Sequence, residues 1–150
     1  MNDYFLHSSA LVKRYLTETG SDWITALADP LVDDTIVVAE ITLVEVAAAL
    51  AGRHRAPGGI TLEERGEAVE LLHEHYEGEY RTILLDRAVT LTQTHHLRGY
   101  DAVQLATALT VNDSLAEADL PTLAFVADDD GLVAAAGSED LEADDPNRHS

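Results

Sequence analysis

Apolar and polar positions along the chain fall into two alternating rhythms. Short runs rich in β-branched and aromatic residues, "DYFL", "TIVVAE", "RTILLD" and "TLAFVA", are expected to form buried strands. Between them lie longer stretches with helical periodicity: "SALVKRYL", "SDWITALA", "TLVEVAAALAGRHR", "TLEERGEAVELLHEHY", "RAVTLTQTHHL", "DAVQLATALTVN" and "DDGLVAAAG". Strands separated by helices predict a parallel sheet covered on both faces. The expected fold class is therefore α/β, a three-layer α/β/α sandwich with a parallel sheet of four to five strands. Pro57-Gly58-Gly59 separates two helices, and Pro30 follows the helix around Trp23. The acidic segment from about residue 140 to 150 is expected to begin as an edge strand and end as a frayed tail. No repeat, linker or Gly-rich phosphate loop interrupts the chain, so residues 1–150 are expected to form a single domain.

Composition adds three constraints. An apolar content of 46% supports a packed core. No apolar run approaches the roughly 18 residues of a membrane span, and the N-terminus lacks a basic region before its short apolar stretch. A cytoplasmic protein without membrane association is expected. Cysteine is absent, which excludes disulfides and thiolate metal sites.

Charge changes the picture more. There are 28 acidic residues against 9 basic ones, a net charge of −19, and Lys13 is the only lysine. Such a surface resembles that of halophilic proteins, where salt screens self-repulsion. At low ionic strength the charge opposes a polyanionic substrate. At 1 M salt the Debye length is only about 3 Å, so an RNA substrate stays open. The thermal midpoint is expected to rise as KCl goes from dilute to molar. A flat midpoint in a melting series would remove the halophilic reading.

Candidate chemistry lies where strands give way to helices. Glu45 sits in the nearly all-apolar "ITLVEVAAALA", and Asp101 opens the equally apolar "DAVQLATALTV". Each has a simple structural explanation. Thr42-x-x-Glu45 fits a capping box, and Asp101 favours the positive end of its helix. Asp128, Asp129 and Asp130 follow "TLAFVA", and one of them is expected to cap the next helix. Together the positions say more. Glu45, the Asp128 to Asp130 run and His7 follow strands, and in parallel sheets those joints share the edge where ligands bind. Clustered carboxylates repel unless a cation holds them, and hard oxygen donors select Mg²⁺ or Mn²⁺. Such ions polarise phosphoryl oxygens and activate water for phosphodiester hydrolysis.

Four ordered blocks resemble the PIN-domain ribonucleases of the VapC toxin type. They are "YFLHSSALVKRYLTETGS", "VVAEITLVEVAAAL", "HHLRGYDAVQLATAL" and "LAFVADDDGLVAAA", with "LEADDPN" resembling the family's terminal edge strand. The resemblance implies an endoribonuclease of a toxin–antitoxin pair that leaves a 5′-phosphate and a 3′-hydroxyl. It implies Glu45, Asp101 and Asp129 as metal-holding acids, a homodimer, a small VapB-like antitoxin and an RNA substrate such as tRNA. Ser9 either orients the attacking water or caps its helix. Whether Asp128 or Asp130 also meets the metal stays open.

One position departs from the family. His7 stands where the resemblance expects a principal aspartate ligand, and imidazole is a poor Mg²⁺ ligand. Three readings remain: packing at a helix start, an inactivating replacement, or a site adapted to Mn²⁺ or Zn²⁺. Activity with His7 is expected to be weak or absent. The alternative function is an inactive PIN domain that acts by binding antitoxin or RNA. A Mg²⁺-dependent phosphatase is a distant third, for no strand end carries a DxD arrangement. Lys13, Arg14 and Arg98 flank the site and are candidate phosphate contacts, with ion pairing to the many acids as the competing explanation.

Overall fold

The computed structural model describes residues 1–81 and 87–149. Strand β1 (Asp3–Leu6) leads into helix α1 (Ser8–Leu11), a 3₁₀ turn (Val12–Arg14) and α2 (Ser21–Leu27). Then come β2 (Thr35–Val37), α3 (Thr42–Arg55), α4 (Leu62–Gly78) and β3 (Tyr80–Arg81). The chain continues through α5 (Ala88–His95), α6 (Gly99–Glu117), β4 (Ala124–Val126), α7 (Asp130–Ser138) and β5 (Glu142–Asp144). A 3₁₀ turn (Pro146–Arg148) follows. All but one residue of the expected strand "RTILLD" lies outside the described residues.

The five strands are parallel and run β3-β2-β1-β4-β5. Their side chains alternate between two cores, as a period of two requires. Phe5, Val37 and Phe125 face α5, α6 and α7, and Phe5 stacks on Phe125 with centroids 5.3 Å apart. Leu6, Ile36, Val38 and Val126 face the other way, onto Ile24, Val46, Leu50 and Leu72 from α2, α3 and α4. The expected α/β/α sandwich is thus present, with the PIN-like order of elements. No helix among the described residues is long and apolar enough to cross a membrane.

This layering places the site. After β1 the chain moves to one face of the sheet, and after β4 it moves to the other. The crevice between those neighbouring strands is the switch point where open parallel sheets bind ligands.

Two expectations need correction. The helix expected over residues 9–16 is a single α-helical turn followed by a 3₁₀ turn, a tightening that accompanies the inward bonds of Lys13 to Asp128 and of Arg14 to the Tyr80 hydroxyl. The frayed tail is also replaced. Asp145 and Pro146 are buried, Asn147 bonds to Lys13, and His149 stacks on Trp23. Gly20, at φ +87°, lies so close to Pro146 that a Cβ would sit 2.5 Å from the Pro146 carbonyl oxygen. A side chain at that position would push the tail away.

A polar cluster closes the β3 side. The Tyr15 hydroxyl lies 2.7 Å from His75 Nδ1 and 2.8 Å from the Tyr80 hydroxyl. Burial lowers the His75 imidazole below its ordinary value, and the nearby Arg14 guanidinium adds to this. A base depressed in the fold stabilises it fully above its unfolded value of about 6.5, and this is lost as pH falls towards the folded value. The His75→Gln variant should therefore lose less urea stability than the present chain between about pH 7.5 and about pH 5. Equal slopes would show that His75 takes no part.

Candidate active site

His7 is the first residue past β1 and caps α1 in an extended conformation. The Ser9 amide donates to its Nδ1 at 3.1 Å, so that nitrogen is an acceptor and the ring proton sits on Nε2. Nε2 donates to Asp101 Oδ1 at 2.8 Å. The Ser9 hydroxyl donates to Nδ1 at 2.8 Å and accepts from the Asp128 amide, also at 2.8 Å. One chain of hydrogen bonds thus runs from the end of β4, through Ser9 and His7, to the first turn of α6. His7 is only 5% exposed, so the imidazole at the centre of this chain is shielded from water.

Glu45 reaches the same turn by another route. Its carboxylate accepts from the Ser8 hydroxyl at 3.3 Å and from the Gln104 side-chain amide. Gln104 is fully buried, and its carbonyl accepts from the Thr42 hydroxyl at 3.0 Å. The expected capping box is therefore absent. Ile41 caps α3 without a side-chain bond, and Thr42 and Glu45 are turned towards α6 instead. Burial explains the exchange: the Gln104 side chain is fully buried beside the first turn of α3, where Thr42 and Glu45 meet both ends of its amide, and an unpaired buried amide would be costly. Gln104 was missed from sequence, although an amide one helical turn after Asp101 in an otherwise apolar stretch is a legible signal.

The aspartate run divides its duties. Asp128 is held by Lys13 Nζ at 3.0 Å and by the Asn147 side-chain amide. Asp129 caps α7, its Oδ1 accepting from the Leu132 amide at 2.9 Å. Asp130 begins the helix. All three are exposed; Asp128 has both carboxylate oxygens engaged by Lys13 and Asn147, whereas the helix cap engages only Oδ1 of Asp129.

The flanking bases differ in the same way. Lys13 is 2% exposed and also lies 3.2 Å from Glu18. Burial works to lower its ammonium, but Asp128 and Glu18 more than offset this and hold it above its ordinary value. Arg14 donates to Glu79 at 3.0 Å, to the Tyr80 hydroxyl at 2.7 Å and to the Ala28 carbonyl at 3.0 Å. Both point into the protein. Arg98 caps α6 with its backbone and is exposed.

The structure thus joins His7 to Asp101 and Ser8 to Glu45 around one turn of backbone. It does not gather three His, Asp or Glu side chains into a cage among the described residues.

Two curated proteins share this sequence pattern. Both are from Mycobacterium tuberculosis: ribonuclease VapC45 of strain CDC 1551 / Oshkosh and ribonuclease VapC49 of strain ATCC 25618 / H37Rv. Each is 37% identical over 114 residues, covering 73% of this chain and 76% of the relative. The chain belongs to the VapC ribonuclease family. Scanned against models of known protein families, it matches none.

Proposed function

We propose that the protein is a metal-dependent endoribonuclease toxin of a toxin–antitoxin pair, and that His7 weakens it. The observation that supports this best is the 2.8 Å bond from His7 Nε2 to Asp101 Oδ1 at the switch point of the sheet. Glu45, Asp101 and Asp129 are hard oxygen donors of the kind that suits Mg²⁺ or Mn²⁺. The donor chemistry fits such an ion, but the set is short by one where His7 stands. When bound, the ion would polarise a phosphoryl oxygen and lower the pKa of water.

The chain's own residues have separate tasks. Gln104 and Ser8 hold the Glu45 carboxylate in orientation through its two oxygens. Ser9 ties the loop carrying Asp129 to the turn after β1. His7 takes up an Asp101 oxygen that would otherwise be available to a cation.

RNA, with tRNA as the first substrate to try, is the proposed target, and a small VapB-like antitoxin and a second copy of this chain are the proposed partners. A second reading is favoured by the same bond: a catalytically silent member that works by holding antitoxin or RNA. Incubation with a tRNA pool in molar KCl, with Mg²⁺, Mn²⁺ or EDTA, separates the two. Metal-dependent cuts bearing 5′-phosphates support the enzyme. Intact RNA with every metal, for this chain and for His7→Asp alike, supports the silent form.

A further inference from the structure

The chain's only tryptophan lies away from either core's centre. Trp23, near the start of α2, stacks on His149 with centroids 4.1 Å apart and planes 4° from parallel. The His149 ring is fixed in that plane, because its Nε2 lies 2.9 Å from Asp144 Oδ2. Beside the stack is a shallow, solvent-open cavity of about 660 Å³ lined by Asp22, Trp23, Arg148 and His149. Arg148 is exposed there.

We infer that the Trp23–His149 stack, with Arg148 beside it, is a platform for an unpaired nucleobase of the RNA substrate. The inference rests on the ribonuclease reading and extends it to substrate positioning. Three observations carry it. First, the platform is continuous with the candidate site. Asp144 pairs in register with Val126, and Asn147, one residue before Arg148, bonds to Asp128. Second, Lys13 and Arg14 point inward, which leaves the exposed Arg98 and Arg148 as candidate phosphate contacts, and Arg148 is the one that lines this cavity. Third, the chemistry suits the charge. With −19 on the chain and Asp22 in the cavity wall, Coulomb attraction for RNA is weak. Stacking on an aromatic face does not depend on net charge and persists where salt screens ion pairs. The close approach of Gly20 to Pro146 locks α2 against the tail, so both rings are set before RNA arrives.

Trp23 reports on its own site. The present chain, in molar KCl with EDTA, is titrated with a short unstructured oligoribonucleotide carrying an end label. Label anisotropy follows binding and tryptophan emission follows stacking. Emission should be quenched in step with the anisotropy. An abasic oligomer of equal length should bind about tenfold more weakly and leave emission unchanged. His149→Ala should lose the quenching and about tenfold in affinity, whereas His149→Phe, which keeps a ring, should retain both. Arg148→Ala should weaken binding by a smaller factor. RNA that binds while Trp23 emission stays constant, or that binds equally well without bases, would overturn the platform and leave the ribonuclease reading standing. Quenching by adenosine monophosphate as strong as by the oligomer would reassign the cavity to free nucleotides. Absence of any anisotropy change with RNA, in EDTA and again with Mg²⁺, would overturn the platform, while the cleavage assay decides the ribonuclease reading separately.

Discussion

Replacing His7 by aspartate is expected to raise Mg²⁺-dependent RNA cleavage at least tenfold over the present chain. The argument begins with Asp101. One of its oxygens is engaged by His7 Nε2 at 2.8 Å, and the turn that His7 opens also carries Ser8, whose hydroxyl donates to Glu45. An aspartate there supplies a hard donor and withdraws a competing one in the same step. Each factor of ten in rate needs only about 1.4 kcal/mol of transition-state stabilisation, well within reach of a complete rigid ligand set. Aspartate also accepts well at an N-cap, so the Ser9 amide keeps its partner. The stability readout has the opposite sign. Without metal, the new carboxylate faces Asp101 with no donor between them, so the His7→Asp variant should melt below the present chain in EDTA and recover with Mg²⁺. Adding Asp129→Ala should abolish the gained cleavage. Equal melting of both forms in EDTA would mean that position 7 and Asp101 do not share a site. Full cleavage by the present chain would remove the view of His7 as a weakening residue.

The second large effect is expected at Arg14, and on stability. Its side chain is 9% exposed, and it supplies Glu79, the Tyr80 hydroxyl and the Ala28 carbonyl. Burial works to lower the guanidinium, yet the Tyr80 and Glu79 contacts outweigh it and hold it above its ordinary value. The Arg14→Met variant keeps the aliphatic volume but leaves three acceptors short of a donor. Breaking such a buried pair costs about 3 kcal/mol or more, or roughly 10 °C in melting temperature for a chain of this size. RNA affinity, measured by anisotropy where both forms are folded, should change little. An unchanged midpoint with lost RNA binding would instead make Arg14 a phosphate contact and the β3-side cluster dispensable.

Much of the architecture was legible because it depends on local periodicity. Short runs rich in β-branched and aromatic residues marked β1, β2 and β4, and a longer, nearly all-apolar helical stretch marked α3, whose bounds Thr42–Arg55 match the expected segment. The order of those elements, strand then helix, required a parallel sheet, and a parallel sheet puts the ends of β1, β2 and β4 on one edge. Glu45, the Asp128 to Asp130 run and His7 could therefore be named from position as candidates for one edge, whereas Asp101, which follows no strand directly, entered through the family resemblance. The structure bonds His7 to Asp101 but gathers no three such side chains among the described residues. What each side chain touches was beyond that reasoning. Glu45 turns away from its own helix cap because Gln104, 59 residues later, is buried against it. His7 meets Asp101 across 94 residues, and Lys13 meets Asn147 across 134. The acidic tail, polar enough to predict fraying, is held because Gly20 leaves room for Pro146 and Trp23 offers a ring to His149. Local propensity reports only the few residues within one turn or pleat. The partner of a buried polar group is decided by which elements the finished fold brings together, and the cost of leaving that group unpaired then selects the contact.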